Sequence, residues 1–575
     1  MWKANPVIFL LIGICALAMV ACSDDSQEPD PTNQQCEEGT LGCACGPDDS
    51  CEGSLICEAD VCVDAAIDAG IDAAGDDAGL DADDVSPGDD TSHAGDDTGD
   101  ADVEEPCPDT VCGEECVDLE TDEEHCGECD RFCPGDCDDG GCITPSWVQG
   151  FGDARPHSNG RIAVSSDGTV TIYGLLRGTI DFGGGPLTSE GESDVVVAQF
   201  DIFGEHRWSR RFGNQERQVP HRVATNDDGE VVISGVIRGD VDFGGDAPLE
   251  ANGAGLFVTK LDSDGDYLWS QAFPLTGFFI TGVELSEDGS VFMVGSMSQA
   301  IDFGGGDLTG EPDSSSDIVV VKFDSDGEHV WSDRFGDSEG QYSSEITLAE
   351  NGDILLAGEF NGTLDLGGEP RVSTGETDVF VARFDSEGDH IWSRSFESSA
   401  RQTAYGLDLD SEDRVILGGR MSGSVDFGGG TLVSAGASDI FLAQFSASGD
   451  HIWSDRFGNE QETRMGGLAT TTDDSIVVAG SFVDDLEWDG ETISGHSERN
   501  VLVFELDSAG DHSWSTYASN TQYQASTGIG VDGDGNSYII GSFSGTLDFG
   551  VDSIASTGTA NDWDYFLLKL SSAEF

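Results

Sequence analysis

The chain has 575 residues, of which 113 are acidic and only 24 basic, for a formal charge of -89. That charge repels a phosphate backbone or an anionic membrane surface, which excludes nucleic acid as a partner and leaves a well-solvated surface as its plain consequence. All 16 cysteines precede residue 143, so a cysteine-rich front is followed by a long cysteine-free remainder.

The front opens with Lys3 and an apolar run over 7–21, too short to span a bilayer comfortably but the right length for the core of a signal peptide (1–21). It ends in Met19-Val20-Ala21-Cys22, followed by Ser23-Asp24-Asp25-Ser26. This segment resembles the bacterial lipobox, with Met19 in place of the more usual leucine. The resemblance implies lipidation at Cys22, a tether over 22–35 and a cell-envelope location held to the membrane by the lipid anchor, since several acyl chains exceed the marginal hold of one.

Six cysteines follow in 36–62 (Cys36, Cys43, Cys45, Cys51, Cys57, Cys62) and eight in 107–142 (Cys107, Cys112, Cys116, Cys126, Cys129, Cys133, Cys137, Cys142). Even counts in an exported chain predict two small disulfide-stapled modules, with the pairings open. Cys126-Gly-Glu-Cys129 also has the spacing of a zinc half-site, but oxidising export favours disulfides. The run from Cys112 to Cys129 resembles the cysteine-rich repeat of stigma-specific-type proteins, which implies a spacer or recognition module. Between the modules, 63–106 is nearly all Asp, Ala, Gly, Thr and Ser with no basic residue. It is expected to be a disordered linker spanning ~37 Å or more.

From 146 to 575 one unit repeats. Trp147, Trp208, Trp269, Trp331, Trp392, Trp453 and Trp514 are spaced by 61, 61, 62, 61, 61 and 61 residues. Each unit reads as four short strands, shown in the fourth by 331–335, 345–349, 354–358 and 379–384, with a long Gly/Asp loop before the last. The barely alternating runs predict strands buried on both faces. Four-stranded sheets repeated radially are propeller blades. The units resemble the bacterial seven-bladed β-propeller repeat family in their strand-ending glycines (Gly174, Gly235, Gly295, Gly358, Gly418, Gly480, Gly541), their Asp-Phe-Gly-Gly segments at Asp181, Asp242, Asp302 and Asp426, and their Trp-Ser strand starts. Unit six departs, with Glu487-Trp488-Asp489-Gly490 at that loop. The expected fold is all-β, a seven-bladed propeller closed by the orphan strand at 147–151, which completes the last blade and removes two sheet edges.

Tight Asp/Gly turns fall on one face of such a disc. Asp262, Asp264, Asp324 and Asp326 sit in these turns with the alternating oxygen spacing of a calcium loop but without its distal glutamate, so calcium is the only cofactor the residues suggest, and weakly. His206, His329, His390, His451 and His512 recur two residues before the tryptophans, and the serines after the tryptophans recur likewise, which marks both as parts of the repeat and not as catalysts. The opposite face receives the connections that differ most between units. There Arg161, Arg217, Arg222, Tyr342, Arg401, Tyr405, Arg464 and Tyr523 form a candidate ligand-binding face, with Arg155, His157, His221, Phe278 and Phe279 beside them. Arg and Tyr recognise partners through bidentate and stacking contacts. The expectation is a non-catalytic binding or scaffold module for an envelope or extracellular protein or glycan. The alternatives are a polysaccharide lyase or glycosidase, which needs acid and base groups converging at the central opening, or a purely structural envelope component.

Overall fold

The computed structural model describes residues 146–575 apart from 252, 276, 311–315, 376, 399, 489–490, 521, 551–552, 559–561 and 573–575, with backbone alone at 487, 488 and 491 and, before residue 146, for seven short strands. Two compact units divide the chain, Met1–Cys142 and Ile143–Phe575. In the first, Cys43–Ala44, Leu55–Glu58 and Val61–Asp64 make a three-stranded sheet whose register sets both Cys43 and Cys57 opposite Cys62. Two hairpins follow, Thr110–Cys112 with Glu115–Val117 and Asp136–Asp138 with Gly141–Ile143. The signal peptide, Cys22, the tether, nearly all of 63–106 and the side chains of the fourteen module cysteines lie outside the described residues.

The second unit is a seven-bladed all-β propeller. Each blade is an antiparallel four-stranded sheet in chain order from the centre outward, as in Gln341–Leu348, Ile354–Phe360, Asp378–Phe384 and His390–Phe396. The innermost strands touch one another in sequence, and Gln524–Val531 of blade seven touches Arg161–Val164 of blade one, so the ring closes. Closure is made as the chain order demands: Trp147–Phe151 pairs with Asp564–Leu570 as the outermost strand of blade seven. Second and third strands such as Val170–Leu176 and Asp194–Phe200 are buried along their whole length, because each sheet is covered by a neighbour on both faces and needs no polar side. The core is therefore a set of layers between blades. One holds Phe151, Val170, Ile172, Tyr538, Ile540 and Tyr565 and joins the first blade to the last.

The tryptophan period has a physical cause. Trp208 Nε1 donates to the carbonyl of Ser263 at 2.8 Å, Trp269 to Ser325 at 2.9 Å, Trp392 to Ala447 at 2.9 Å and Trp147 to Ile202 at 3.1 Å. Each of these indoles thus staples an outer strand to the Asp/Gly turn of the next blade, while among the described residues Trp453 meets its turn through packing on Gly510 alone. The turn glycine lies flat on the ring: a Cβ on Gly265, whose φ is +73°, would sit 2.6 Å from Trp208, so only glycine meets both the positive φ and the close approach.

Two strand readings are corrected. The innermost strand of blade four is Gln341–Leu348, not 345–349, and those of blades two to seven begin similarly early because a bulge interrupts each one, between Ser343 and Glu345 in blade four. A bulge shifts side-chain alternation by one residue, so the first half of the strand reads as irregular. The long loop also holds a small hairpin in most blades, such as Thr179–Asp181 with Pro186–Thr188. Asp181 Oδ1 accepts from Gly183 and Gly185 at 2.8 and 2.9 Å and shapes its tip.

Candidate functional site

The repeated polar residues are accounted for by the blades themselves. His206 Nε2 meets Ser209 Oγ at 3.0 Å, and His329 with Ser332 and His451 with Ser454 do so at 3.1 Å. Each ring lies against a hairpin glycine, so closely that a Cβ on Gly184 would sit 2.3 Å from His206. In the turns, Asp262 Oδ1 accepts from the amides of Asp264 and Asp266 at 3.0 and 2.8 Å, and Asp324 Oδ1 from those of Asp326 and Glu328 at 3.0 and 2.9 Å. Those oxygens close hairpins. Among the described residues no group of three or more His, Cys, Asp or Glu is placed to hold a metal ion.

The non-repeated residues fall elsewhere than expected. Of the eight candidates, Arg161, Arg222, Tyr342, Tyr405 and Arg464 belong to innermost strands and not to loops; in blades two to seven this is because the bulged strands start early, while Arg161 opens the unbulged strand of blade one. Arg217, Arg401 and Tyr523 stand at one equivalent position just before the innermost strands of blades two, five and seven. Arg217 and Arg401 are thus three blades apart, and Tyr342 stands on blade four. Two groups do come together.

The first lines the channel. His221 is the bulged residue of blade two, and its carbonyl accepts from Arg161 Nε at 3.2 Å and from an Arg222 guanidinium nitrogen at 3.1 Å. Its ring is 3 % exposed and lies 4.5 Å from Phe279 at a 41° tilt, and Phe279 is 40 % exposed. Neither ring nitrogen has a hydrogen-bond partner among the described residues. Burial, reinforced by Arg222 and Arg161, lowers its pKa to about 3, so the ring is neutral at pH 7. On the innermost strands of the next blades, three, four and five, stand Glu284, Glu345 and Asp408. Glu284 keeps part of its surface open, yet burial beside Asp408 and Glu345 raises its carboxyl to about 8. Burial pushes Glu345 up, an effect Arg222 and Arg161 partly offset. It raises Asp408 too, against the opposing bonds from Thr470 N–H at 2.8 Å and Thr470 O–H at 3.0 Å.

The second group lies on the face opposite the tight turns, where blades five, six and seven meet. Glu462 is approached by Arg464 at 2.9 Å, Arg499 at 3.4 Å and Arg420 at 3.7 Å. Arg420 also stacks over Tyr405 with its guanidinium 6.0 Å from the ring centre, and Arg499 over Tyr523 at 5.9 Å. Tyr523 in turn lies 5.1 Å from Trp563 at a shallow 30°. An arc of alternating aromatic and guanidinium groups results, all part-exposed.

Glu284, Glu345, Asp408, Arg420, Glu462, Arg499 and Trp563 were missed from sequence. A signal existed for two of them. The residue before the third strand is Ser193, Ala254, Ser316, Thr377 and Ser438 in blades one to five, then Arg499 and Trp563.

No protein-family model matches the chain. A 203-residue stretch is 27 % identical to regulatory protein FlaEY of Caulobacter vibrioides, covering 34 % of this chain and 21 % of that protein. Another, of 205 residues, is 20 % identical to the uncharacterized WD repeat-containing protein L264 of Acanthamoeba polyphaga mimivirus, covering 29 % of this chain and 14 % of that one. These matches thus span under a quarter of either relative. Among solved structures, the β-propeller domain of the trilobed protease of Pyrococcus furiosus aligns with a TM-score of 0.38 at 11 % identity, over 71 % of this chain and 96 % of that one. YCF48 bound to D1 peptide aligns with 0.34 at 10 % identity, over 74 % and 95 %. The PQQ-bound aldose sugar dehydrogenase of Streptomyces coelicolor aligns with 0.31 at 12 % identity, over 61 % and 94 %. Binding proteins and enzymes both occur in this set, and none lends its activity to this chain.

Proposed function

We propose that the chain is a lipid-anchored cell-envelope protein whose propeller binds a protein or glycan partner through the face opposite its tight turns, without turnover. The observation that carries this reading is the separation of repeated from unique chemistry. His, Ser, Trp and turn Asp recur in blade after blade and are in several blades bonded within the scaffold, whereas arginines and tyrosines that most blades lack fall on innermost strands and on the face opposite the tight turns, in a chain that is otherwise strongly acidic. Unique side chains on a repeated frame are where recognition is placed, and Arg and Tyr dominate such surfaces. The lipobox-like Met19-Val20-Ala21-Cys22 and the cysteine-rich modules support display from a membrane.

An enzyme is the second reading, favoured by one observation: a neutral His221, a Glu284 carboxyl raised to about 8 and two arginines share the channel. Perturbed groups of this kind suit general acid and base work. One experiment separates the two. The full chain and a variant with Arg217, Arg222, Arg401 and Arg464 changed to Ala are immobilised and offered solubilised envelope and extracellular polysaccharide. Capture by the native chain alone, with the ligand recovered intact, supports binding. Recovery of shortened polysaccharide supports the enzyme, and no capture by either form leaves a structural component as the better description.

A further inference from the structure

We propose that Arg420, Arg464, Arg499 and Trp563 form a subsite for a carboxylated sugar, a hexuronate carried on an otherwise neutral glycan. This rests on the binding reading above and names the chemistry of its ligand. Three guanidiniums converge on the single carboxylate of Glu462, within 2.9 to 3.7 Å. Arg420 and Arg499 are held on tyrosine faces at 6.0 and 5.9 Å, so little side-chain freedom is left to lose when an anion arrives. Guanidinium forks match a carboxylate in geometry, and Glu462 already shows one bound.

Two further observations choose the ligand's body. The protein carries a charge of -89, which disfavours a densely anionic chain, so a sparse anion with one carboxylate on a neutral frame is the better match. Beside the arginines, the part-exposed Trp563 packs on Tyr523 with ring centres 5.1 Å apart and a 30° tilt, and such an indole suits the flat apolar face of a sugar ring better than an extended peptide. The site also belongs to this junction alone. Blades one to five carry Ser193, Ala254, Ser316, Thr377 and Ser438 where blades six and seven carry Arg499 and Trp563, and the position of Arg420 is Leu175, Val236, Ser296, Glu359, Ser481 or Ser542 in the other blades.

The test titrates the full chain with methyl galacturonide and methyl galactoside, which differ only in the carboxylate, and with a short peptide ending in a free carboxylate, following Trp fluorescence and heat. The acid should bind and the neutral sugar should not. Arg499→Ser and Trp563→Ser restore the small residue type of the other blades, so both should fold with unchanged melting, and each should weaken the acid at least tenfold. Glu462→Gln, which removes the internal anion, should tighten it severalfold; a purely structural ion-pair network would only lose stability. Equal binding of both sugars, an unchanged affinity in Arg499→Ser, or tighter binding of the peptide overturns the proposal. If the uronide fails while the native chain still captures a partner that the four-arginine variant does not, the binding reading stands and this ligand is wrong.

Discussion

Glu284 and His221 pull the pH dependence of stability in opposite directions. A carboxyl raised to about 8 in the folded chain from 4.5 unfolded keeps a proton that the unfolded chain has released. Its contribution is complete below 4.5 and is lost as pH rises to about 8, by at most about 1.4 kcal/mol per pH unit. An imidazole lowered to about 3 from 6.5 does the reverse: the unfolded chain takes up a proton that the folded chain refuses, so its contribution is present above 6.5 and is lost as pH falls toward 3. Between pH 6.5 and 8 only the carboxyl acts. Glu284→Gln should therefore flatten the decline of the denaturation midpoint across that interval. Glu345 and Asp408 are raised as well, so a residual slope should persist. A variant with the native slope would mean that Glu284 is ionised at neutral pH, and the acid-catalyst candidate in the channel would go with it.

At the scale of the element, the turn and the tryptophan are one device. Gly265→Ala meets two penalties, a positive φ of +73° and a Cβ 2.6 Å from the Trp208 ring, while Gly185→Ala meets only a φ of +105° with nothing within 4 Å. The first should cost about 2 kcal/mol or more and the second about 1, read as denaturation midpoints of single variants. Equal losses would show that the indole yields freely and that the staple carries little. The same elements explain what was legible beforehand. The tryptophan period, the apolar third strands and the orphan at 147–151 announced seven closed blades because each arises from packing that every copy must satisfy. The innermost strands of blades two to seven were read short because a bulge breaks alternation, and that error moved Arg222, Tyr342, Tyr405 and Arg464 onto loops; the bulge does not account for Arg161, which opens the unbulged strand of blade one. The carboxylates of the channel were invisible for another reason. In a chain with 113 acidic residues, Glu284 and Asp408 stand out only after the strands align them with Ala163, Ala224 and Ala469. Arg499 and Trp563 were readable in principle, as breaks in a column of small residues.

For the whole molecule, the question is what makes seven sheets one cooperative body. Trp147–Phe151 supplies the last strand, and its side chains serve two different layers: Val148 packs with Val477, Val501, Ile539 and Leu568, while Phe151 packs with Val170, Ile172 and Tyr565 between the last blade and the first. Trp147 Nε1 and Gln149 Nε2 reach the turn carbonyls of Ile202 and Gly204 of blade one at 3.1 and 2.9 Å. Tyr565 Oη also accepts from Leu175 N–H at 2.9 Å and has the carbonyls of Ser158 and Leu175 within reach of its single proton across the same junction. At about 1.5–3 kcal/mol per buried side chain, losing Val148 and Phe151 costs roughly 3–6 kcal/mol, which is comparable to the whole stability of many domains. Deleting 146–152 should thus do more than shorten one blade. Asp564–Leu570 becomes an open, apolar edge, so the chain should self-associate. Amide exchange should rise in Arg161–Val164 and Val170–Leu176, which lie far along the chain from the rest of blade seven but next to it in the ring. A synthetic 146–152 peptide added in trans should reverse both effects. If exchange rises only in blade seven and blade one stays protected, the blades are held pairwise, each by its own turn staple, and closure adds a strand without adding cooperativity.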